Sequence, residues 1–544
     1  MPKEFVVWGP PGTGKTTYST GLAKDWVSRG THPSQIAYLA FTKAAAKAAA
    51  FKILDSEDDA KVKEEFPLFR TIHSLCYQGL RKAKPDHKLM NVAYMKAFSK
   101  WAGMEGSYGV FEWEDLADVY RKMQDQGRSE WDKALAAYTL SRSMASSVGE
   151  LQAARLQPND RASEMLGPDL MDYYETFVKK YEDFKRIEGL IDFTDMIEFG
   201  MTEMEPVDCK YVILDECQDL APGHHFLVDR LLSNSEEIWW VGDDDQSIFK
   251  FSGASAELFL DRAKRASGQV QLVDTHRFGQ DTVEFSKKII ARVTNRHIKE
   301  VKGLPGRPGV IGMSGEFKPV HGDLLVLHRH VKGCQFAAQA YIEAGIPFRN
   351  ERGKDPLGSP SQIKAWHAVN DLSRGKAVML NQAAVMIDEL LKSYVKGERG
   401  ETVWLVPKGA KSRMDDLSNA PVDLHDLISA KLLTTEGAQV VSEKEFHTMK
   451  HQDNMEYYER LSKNNFEVED SEKIARIVTI HGSKGREADS VIIFNEMTSK
   501  CWNDPDTEHR LAYVAATRSR GDVTVCFDKK LDYARDEYSY PFSE

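Results

Sequence analysis

At 544 residues the chain is too long for a single hydrophobic core and calls for two to four domains. Its 42% hydrophobic and 28% charged composition is ordinary for a globular protein, and no apolar run reaches the roughly eighteen residues that would span a membrane. A net charge of −11 argues against a protein that coats nucleic acid over its whole surface. It leaves a local basic or aromatic groove open, because each charge acts over only about 8–10 Å at physiological salt. The cysteines (Cys76, Cys209, Cys217, Cys334, Cys501, Cys526) are scattered without a C-x-x-C pair, so neither a disulfide framework nor a zinc site is expected. The histidines at 224, 225, 321, 328 and 330 match no standard metal spacing. Met1 to Glu4 lead straight into a strand with no room for a signal peptide, which makes a reducing cytoplasm the expected location.

In chain order, Phe5 to Trp8 is an apolar run of strand length, followed by G-P-P-G-T-G-K-T at Gly9 to Thr16 and an amphipathic helix. Gln35 to Phe41 reads as a second strand and Lys43 to Leu54 as an alanine-rich helix, so the opening predicts a parallel, doubly wound sheet. The acidic run from Asp55 to Phe66 reads as a solvated connection. From Cys76 to Arg186 the spacing is helical with no clear strand, and sheet pattern returns at Tyr211–Leu214 and Ile238–Val241. A second α/β segment begins near Gln271, with strands at Val270–Val273 and Leu324–His328. Residues 376–470 read as mostly helical and polar, and strands resume at Ile477–Ile480, Ser490–Phe494 and Val523–Phe527.

The octet at Gly9 to Thr16 (Gly9, Pro10, Pro11, Gly12, Thr13, Gly14, Lys15, Thr16) fits the phosphate-loop pattern in full. Glycines let backbone N–H groups turn in on a polyphosphate, the helix N-terminus adds positive potential, Lys15 neutralises the β/γ oxygens and Thr16 holds Mg²⁺. Asp215 and Glu216 emerge from a buried strand at the edge where open α/β sheets bind ligands; Asp215 suits Mg²⁺ and Glu216 a water attacking the γ-phosphate. Gln246, after the aspartates at 243–245, is placed to sense the γ-phosphate or the attacking water.

LDECQD, VGDDDQSIFKFSGA, VTIHGSKGREAD and HRLAYVAATRSR together resemble the superfamily 1 helicases of the UvrD/Rep type. LAFTKAAA, RTIHSLC, IDFTDMI and VDTHRF add matches in the family's order, and together they cover both cores. The resemblance implies an α/β P-loop NTPase of two RecA-like parallel-sheet cores, each with a mainly helical insertion. It divides the chain into a first core (1–75 and 187–270), its insertion (76–186), a second core (271–375 and 471–544) and a shortened insertion (376–470). It further implies ATP and Mg²⁺ as cofactors, 3′-to-5′ translocation on single-stranded DNA and unwinding at single-strand/duplex junctions. Arg277 and Arg518 are then arginine fingers, and Glu487 lies at the ribose. Phe41, His73, Phe193, Phe249 and Phe251 stack on bases, while Thr42, Thr71, Ser74, Thr479 and His481 contact phosphates.

This chain departs from the family where the base is read. No segment precedes Lys3 to carry the usual adenine-recognising glutamine, His276 replaces the aromatic on the adenine face, and Thr17 replaces an arginine after the loop. Looser nucleotide selectivity is the expectation. The tryptophan-arginine of the third motif is Phe251-Ser252 here. With its short second insertion the chain reads as a compact form of the family, compatible with a phage origin. The expected protein is a monomer-capable motor with replication or recombination partners. The competing readings are a single-strand translocase that strips proteins with little unwinding, and a nucleotide-controlled DNA-binding switch.

Overall fold

The computed structural model describes residues 2–54, 58–104, 129–307, 309–350, 360–397, 399, 401–415, 417–466, 474–495, 501 and 504–527. The chain forms two compact units, one of Met1–Gly309 with Cys501–Thr517 and the other of Val310–Lys500 with Arg518–Glu544. Each contains a six-stranded parallel sheet, so the fold is α/β with two RecA-like cores.

In the first unit the strands run in the order Phe69–Thr71, Ile36–Ala40, Tyr211–Leu214, Glu237–Gly242, Lys3–Trp8, Gly268–Gln271. Val6 and Val7 are inaccessible and every residue of Ile36–Ala40 is buried, as expected of strands covered by helices on both faces. The helix Lys43–Leu54 buries Ala46, Ala49 and Ala50, the i, i+3, i+4 stripe of a small-residue face lying close on the sheet. Sheet order puts Lys3–Trp8 next to Glu237–Gly242 in parallel, so the loops after both strands open at one edge.

Four expectations are corrected. The acidic run is not merely a solvated connection: Asp58 caps a helix over Asp59–Glu65 that buries Val62, and Phe66 at its end is buried too, while residues 55–57 lie outside the described residues. The segment 76–186 contains a short strand, Lys88–Leu89, paired with Leu190–Ile191, and its residues 105–128 are not described. The strand expected at Val270–Val273 is Gly268–Gln271; its pairing with Phe5–Trp8 makes it an edge of the first sheet rather than the start of a second. Residues 376–470 carry two small antiparallel pairs, Val378–Met379 with Pro421–Val422 and Tyr394–Lys396 with Thr402–Trp404.

The first insertion packs around Phe98, Trp131, Tyr138, Phe177 and Tyr181. A buried ion network ties it to the core beneath. Arg142, with no exposed side-chain surface, donates to Asp195 at 2.6 Å and Glu198 at 2.5 Å, and Lys185 donates to Asp192 and Asp195 at 2.9 Å. Asp192 and Asp195 also form the capping box of the helix Phe193–Thr202, so one pair of carboxylates starts a helix and anchors the insertion.

In the second unit the order is Phe348–Arg349, Ala475–Thr479, Leu324–His328, Ala488–Phe494, Ser519–Cys526, Ile311–Ser314, again all parallel. Its helical insertion shares the core of this sheet. Met386, Leu427, Tyr457 and Tyr458 belong to one apolar cluster with Val326 and Ile477, and the Tyr457 hydroxyl donates to the Ile346 carbonyl at 2.6 Å. Among the described residues no helix is long and apolar enough to cross a membrane.

Candidate nucleotide and nucleic-acid sites

The phosphate loop is shaped by close approach. Gly14 adopts the left-handed region at φ 82° and opens the helix Lys15–Ser28, leaving the first-turn N–H groups directed at the loop. A Cβ on Gly9 would lie 2.0 Å from Lys15 Cγ, and one on Gly12 would lie 2.5 Å from Thr275 Oγ1. The Lys15 ammonium curls back to donate to the Gly9 carbonyl at 2.8 Å and sits 3.9 Å from Glu216 Oε1. Thr13 braces the turn by donating to the Pro10 carbonyl at 2.7 Å. The Gly9 N–H donates to the Gly242 carbonyl at 3.0 Å, which ties the loop to the neighbouring strand end. Thr16 is half-buried and Thr17 exposed.

Beyond the strand Tyr211–Leu214, Asp215 is buried and held twice, by the Tyr38 hydroxyl at 2.8 Å and by the Glu216 N–H at 3.0 Å. Burial, with the Glu216 charge next to it, pushes its carboxyl up to about 6. Glu216 itself takes a left-handed backbone, φ 56° and ψ 44°, a costly conformation for a residue with a Cβ and one that turns its carboxylate toward Lys15. Gln218 escaped the sequence reading. It is fully buried, its Nε2 donates to Glu216 Oε2 at 2.5 Å, and its Oε1 accepts from the Asp243 N–H at 3.0 Å. One amide thus couples the Asp-Glu turn to the loop that carries Gln246. A Cβ on Gly242 would come within 2.6 Å of that Oε1, which is why a glycine ends this strand. A buried glutamine two residues after the acidic pair was the available signal, as was the tyrosine inside the second strand.

The aspartates at 243–245 are all buried, and none forms the surface loop that such a run suggests. Among the described residues they are the one acidic group compact enough to share a cation, and the Lys299 ammonium sits among them. It is 3.0 Å from Asp243 and 2.9 Å from Asp245, and it also donates to Asp244. Arg296 grips Asp245 with two bonds at 2.7 and 2.6 Å, and His297 stacks on Trp8 at 4.1 Å. Burial would lower the Lys299 ammonium, but the three carboxylates overcome it and hold it above its ordinary value. Gln246 donates to Asp243 Oδ2 at 2.8 Å, so the expected sensor is held by this cluster.

Thr275, His276 and Arg277 lie against the phosphate loop. The Thr275 hydroxyl donates to the Pro11 carbonyl at 2.9 Å, the His276 N–H to the Gly12 carbonyl at 2.8 Å, and a Cβ on Gly12 would be 2.6 Å from Arg277 Cβ. The Arg277 guanidinium donates to the Thr517 carbonyl at 3.0 Å. The other expected finger, Arg518, belongs to the second unit, where it is buried and its carbonyl accepts from the Ala488 N–H at 3.2 Å. Glu487, expected at the ribose, lies in that unit too, 3.4 Å from Arg520.

Of the expected DNA contacts, three half-buried phenylalanines gather in one place: Phe41 and Phe249 stack at 6.1 Å, and Phe251 meets Phe249 edge-on at 6.0 Å. His73 lies edge-on to Phe193 at 6.3 Å and to His224 at 5.5 Å. Burial, then the charge of Lys43, lowers His73 to about 4, so its imidazole is neutral at pH 7. Thr42 and Thr71 accept from the N–H groups of Ala45 and Ser74 as helix caps, which sets the helix starts beside the aromatic cluster. In the second unit Thr479 is buried and accepts from the Gly482 N–H at 3.1 Å, and His481 is buried one turn away.

Residues 1–267 match the family model of the UvrD/REP helicase N-terminal domain, and residues 474–526 that of the UvrD-like helicase C-terminal domain. The chain belongs to the UvrD/REP helicase family. Among curated relatives it is similar to a putative ATP-dependent DNA helicase, YjcD, of Bacillus subtilis, 23% identical over 318 residues that cover 55% of this chain and 38% of that protein. DNA helicase IV of Escherichia coli is 24% identical over 338 residues, 56% of this chain and 46% of that one. The RecBCD subunit RecB of Mycolicibacterium smegmatis is 24% identical over 304 residues, 50% and 28% respectively. The chain thus spans less than half the length of each of these relatives. An arterivirus nonstructural protein 10 helicase covers 98% of this chain, which covers 62% of it, at 10% identity and a TM-score of 0.32, too weak a likeness to carry an argument.

Proposed function

We propose that this chain is an ATP- and Mg²⁺-dependent DNA helicase that moves 3′-to-5′ along single-stranded DNA and separates duplex at junctions. The observation that carries the reading is the convergence of Lys15, Asp215, Glu216 and Gln218 on one loop at the sheet edge, in a chain of the UvrD/REP family. The cradle fits a nucleoside triphosphate: a Cβ on Gly9 or Gly12 would collide, Gly14 takes a left-handed backbone, and among the described residues no carboxylate comes closer to Lys15 than 3.9 Å. Asp215 fits a cation, since burial raises its carboxyl and a positive charge beside it would restore the ionised form. The nucleotide with its Mg²⁺, when bound, supplies the phosphoanhydride that is hydrolysed.

Lys15, freed from the Gly9 carbonyl, neutralises phosphate oxygens, and Thr16 and Asp215 are the metal ligands. Tyr38 fixes the Asp215 carboxylate from behind. Glu216, turned by its left-handed backbone and steadied by Gln218, orients a water and takes its proton. Gln246 reports the state of the γ-phosphate to the buried cluster that holds it. Arg277 and Arg518 stabilise transition-state charge, a role worth about 10³–10⁵ in rate in other NTPases. The phenylalanines at 41, 249 and 251 supply stacking faces for bases. Cytoplasmic location, monomeric action and recombination partners belong to the same proposal.

The test is strand separation on 3′- and 5′-tailed DNA and RNA duplexes with hydrolysis followed in parallel. Unwinding of the 3′-tailed DNA alone is expected. Hydrolysis stimulated by DNA without separation would make the protein a translocase, and tight ATP-dependent binding with negligible turnover a switch.

A further inference from the structure

The small hairpin of the second unit has two unlike faces. Val395 and Val403, opposite each other in the ladder, pack on the apolar cluster of this unit. The alternate positions face out, as the two-residue period of a strand requires. There Tyr394 and Trp404 form a cross-strand pair with ring centroids 5.4 Å apart, 49% and 39% exposed. The Lys408 ammonium lies over the Trp404 ring at 5.2 Å, and Lys396 donates to the neighbouring Thr402 hydroxyl at 3.0 Å. Lys392 reaches no more than the His447 carbonyl, at 3.5 Å. Among the described residues none of these three lysines has a carboxylate partner. In a chain with a net charge of −11, two exposed aromatic rings on a hairpin that carries three lysines, one of them over the Trp404 ring, need an explanation.

We propose that this outward face is a second nucleic-acid contact, with Tyr394 and Trp404 stacking on unpaired bases and Lys392, Lys396 and Lys408 meeting the phosphates on either side. The chemistry favours single strand over duplex, because a ring stacks on a base only where the base is unstacked. It favours nucleic acid over an acidic protein segment because flat rings bracketed by cations match alternating bases and phosphates. The proposal rests on the DNA-motor reading above and adds a contact outside the two parallel sheets.

The experiment uses the full chain with labelled deoxythymidine oligonucleotides of increasing length and no nucleotide, read by anisotropy and by tryptophan quenching over a salt series. The double variant Tyr394→Ala/Trp404→Ala is expected to bind the longer oligonucleotides about tenfold more weakly or worse. Tyr394→Phe/Trp404→Phe should retain most of the affinity. Lys396→Gln/Lys408→Gln is expected to shallow the salt dependence by about two phosphate contacts. Thermal unfolding of each variant separates misfolding from lost contact, and the Phe pair keeps the test decisive if the Ala pair is unstable. Equal affinities and salt slopes across all variants, with the parent chain still binding, overturn this contact alone. Failure of the parent chain to bind overturns the motor reading with it. Loss of binding to an acidic peptide, with oligonucleotide binding unchanged, would assign the face to a protein partner and overturn the proposal.

Discussion

The two units hold themselves together by different means. In the first, buried charges do much of the positioning: Lys299 and Arg296 hold the aspartates at 243–245, and Arg142 and Lys185 hold Asp192, Asp195 and Glu198. In the second, one large cluster of aliphatic and aromatic side chains joins sheet to insertion, and its ion pairs among Asp323, Arg476, Arg520 and Asp489 lie at the half-exposed rim. Apolar packing gives cohesion without direction, whereas a charged group bonded on several sides fixes where a loop lies. The unit with the phosphate loop uses the second device where Glu216 and Gln246 must be aimed.

Breaking a buried ion cluster should cost more than trimming the apolar core. Lys299→Met leaves the buried Asp243 and Asp244 without a cation, Arg296 still holding Asp245, and is expected to destabilise the protein by about 3–5 kcal/mol in urea unfolding. Adding Asp244→Asn should return part of that loss, and a strictly additive pair would show that the cluster is not coupled. Lys15→Ala separates functional from structural charge: turnover is expected to fall by about 10²–10³-fold with unfolding unchanged, and retained DNA-stimulated hydrolysis would show the loop is misassigned. On the apolar side, Leu427→Ala should cost about 2–5 kcal/mol and leave nucleotide binding to the first unit intact. Phe251→Ala is smaller still in scope, weakening single-strand affinity by about 1–3 kcal/mol while unfolding stays put.

Acid should also loosen the first unit. Burial lowers His73 to about 4 and His225, beside Arg262, to about 3. Both imidazoles are neutral in the folded state while the unfolded chain protonates near about 6.5, so their contribution is full above that pH and declines as pH falls toward 4. At lower pH Asp195 follows. Burial opposes its charge, but Lys185 and Arg142 outweigh burial and hold the carboxyl well below the usual range, so its contribution is lost only below the ordinary carboxylate pKa. Unfolding midpoints measured from pH 7 to pH 4 should fall, and His225→Gln should flatten the decline.

Much of the site was legible because its chemistry is local. The phosphate loop, the acidic pair and the strands before them are set by neighbours in sequence, and each stands where the pattern put it. The partners of Gln218, Tyr38 and Lys299 were not legible, since position in the sequence marks a buried amide, phenol or ammonium without naming a partner 25, 177 or 55 residues away. The edge strand Gly268–Gln271 was assigned to the wrong sheet for the same reason: apolar spacing reports a strand and is silent about its neighbour.

By itself, then, the sequence determined the α/β class, the glycine-rich loop between the first strand and helix, and the family, because glycine geometry and strand period act over a few residues. Only the tertiary structure decided that a run of three aspartates is an interior held by Lys299 and Arg296, that Arg277 borders the glycine-rich loop, and that a two-stranded hairpin turns two aromatic rings outward. Those outcomes depend on which distant groups satisfy a buried charge or cover an apolar face, and that is settled by packing.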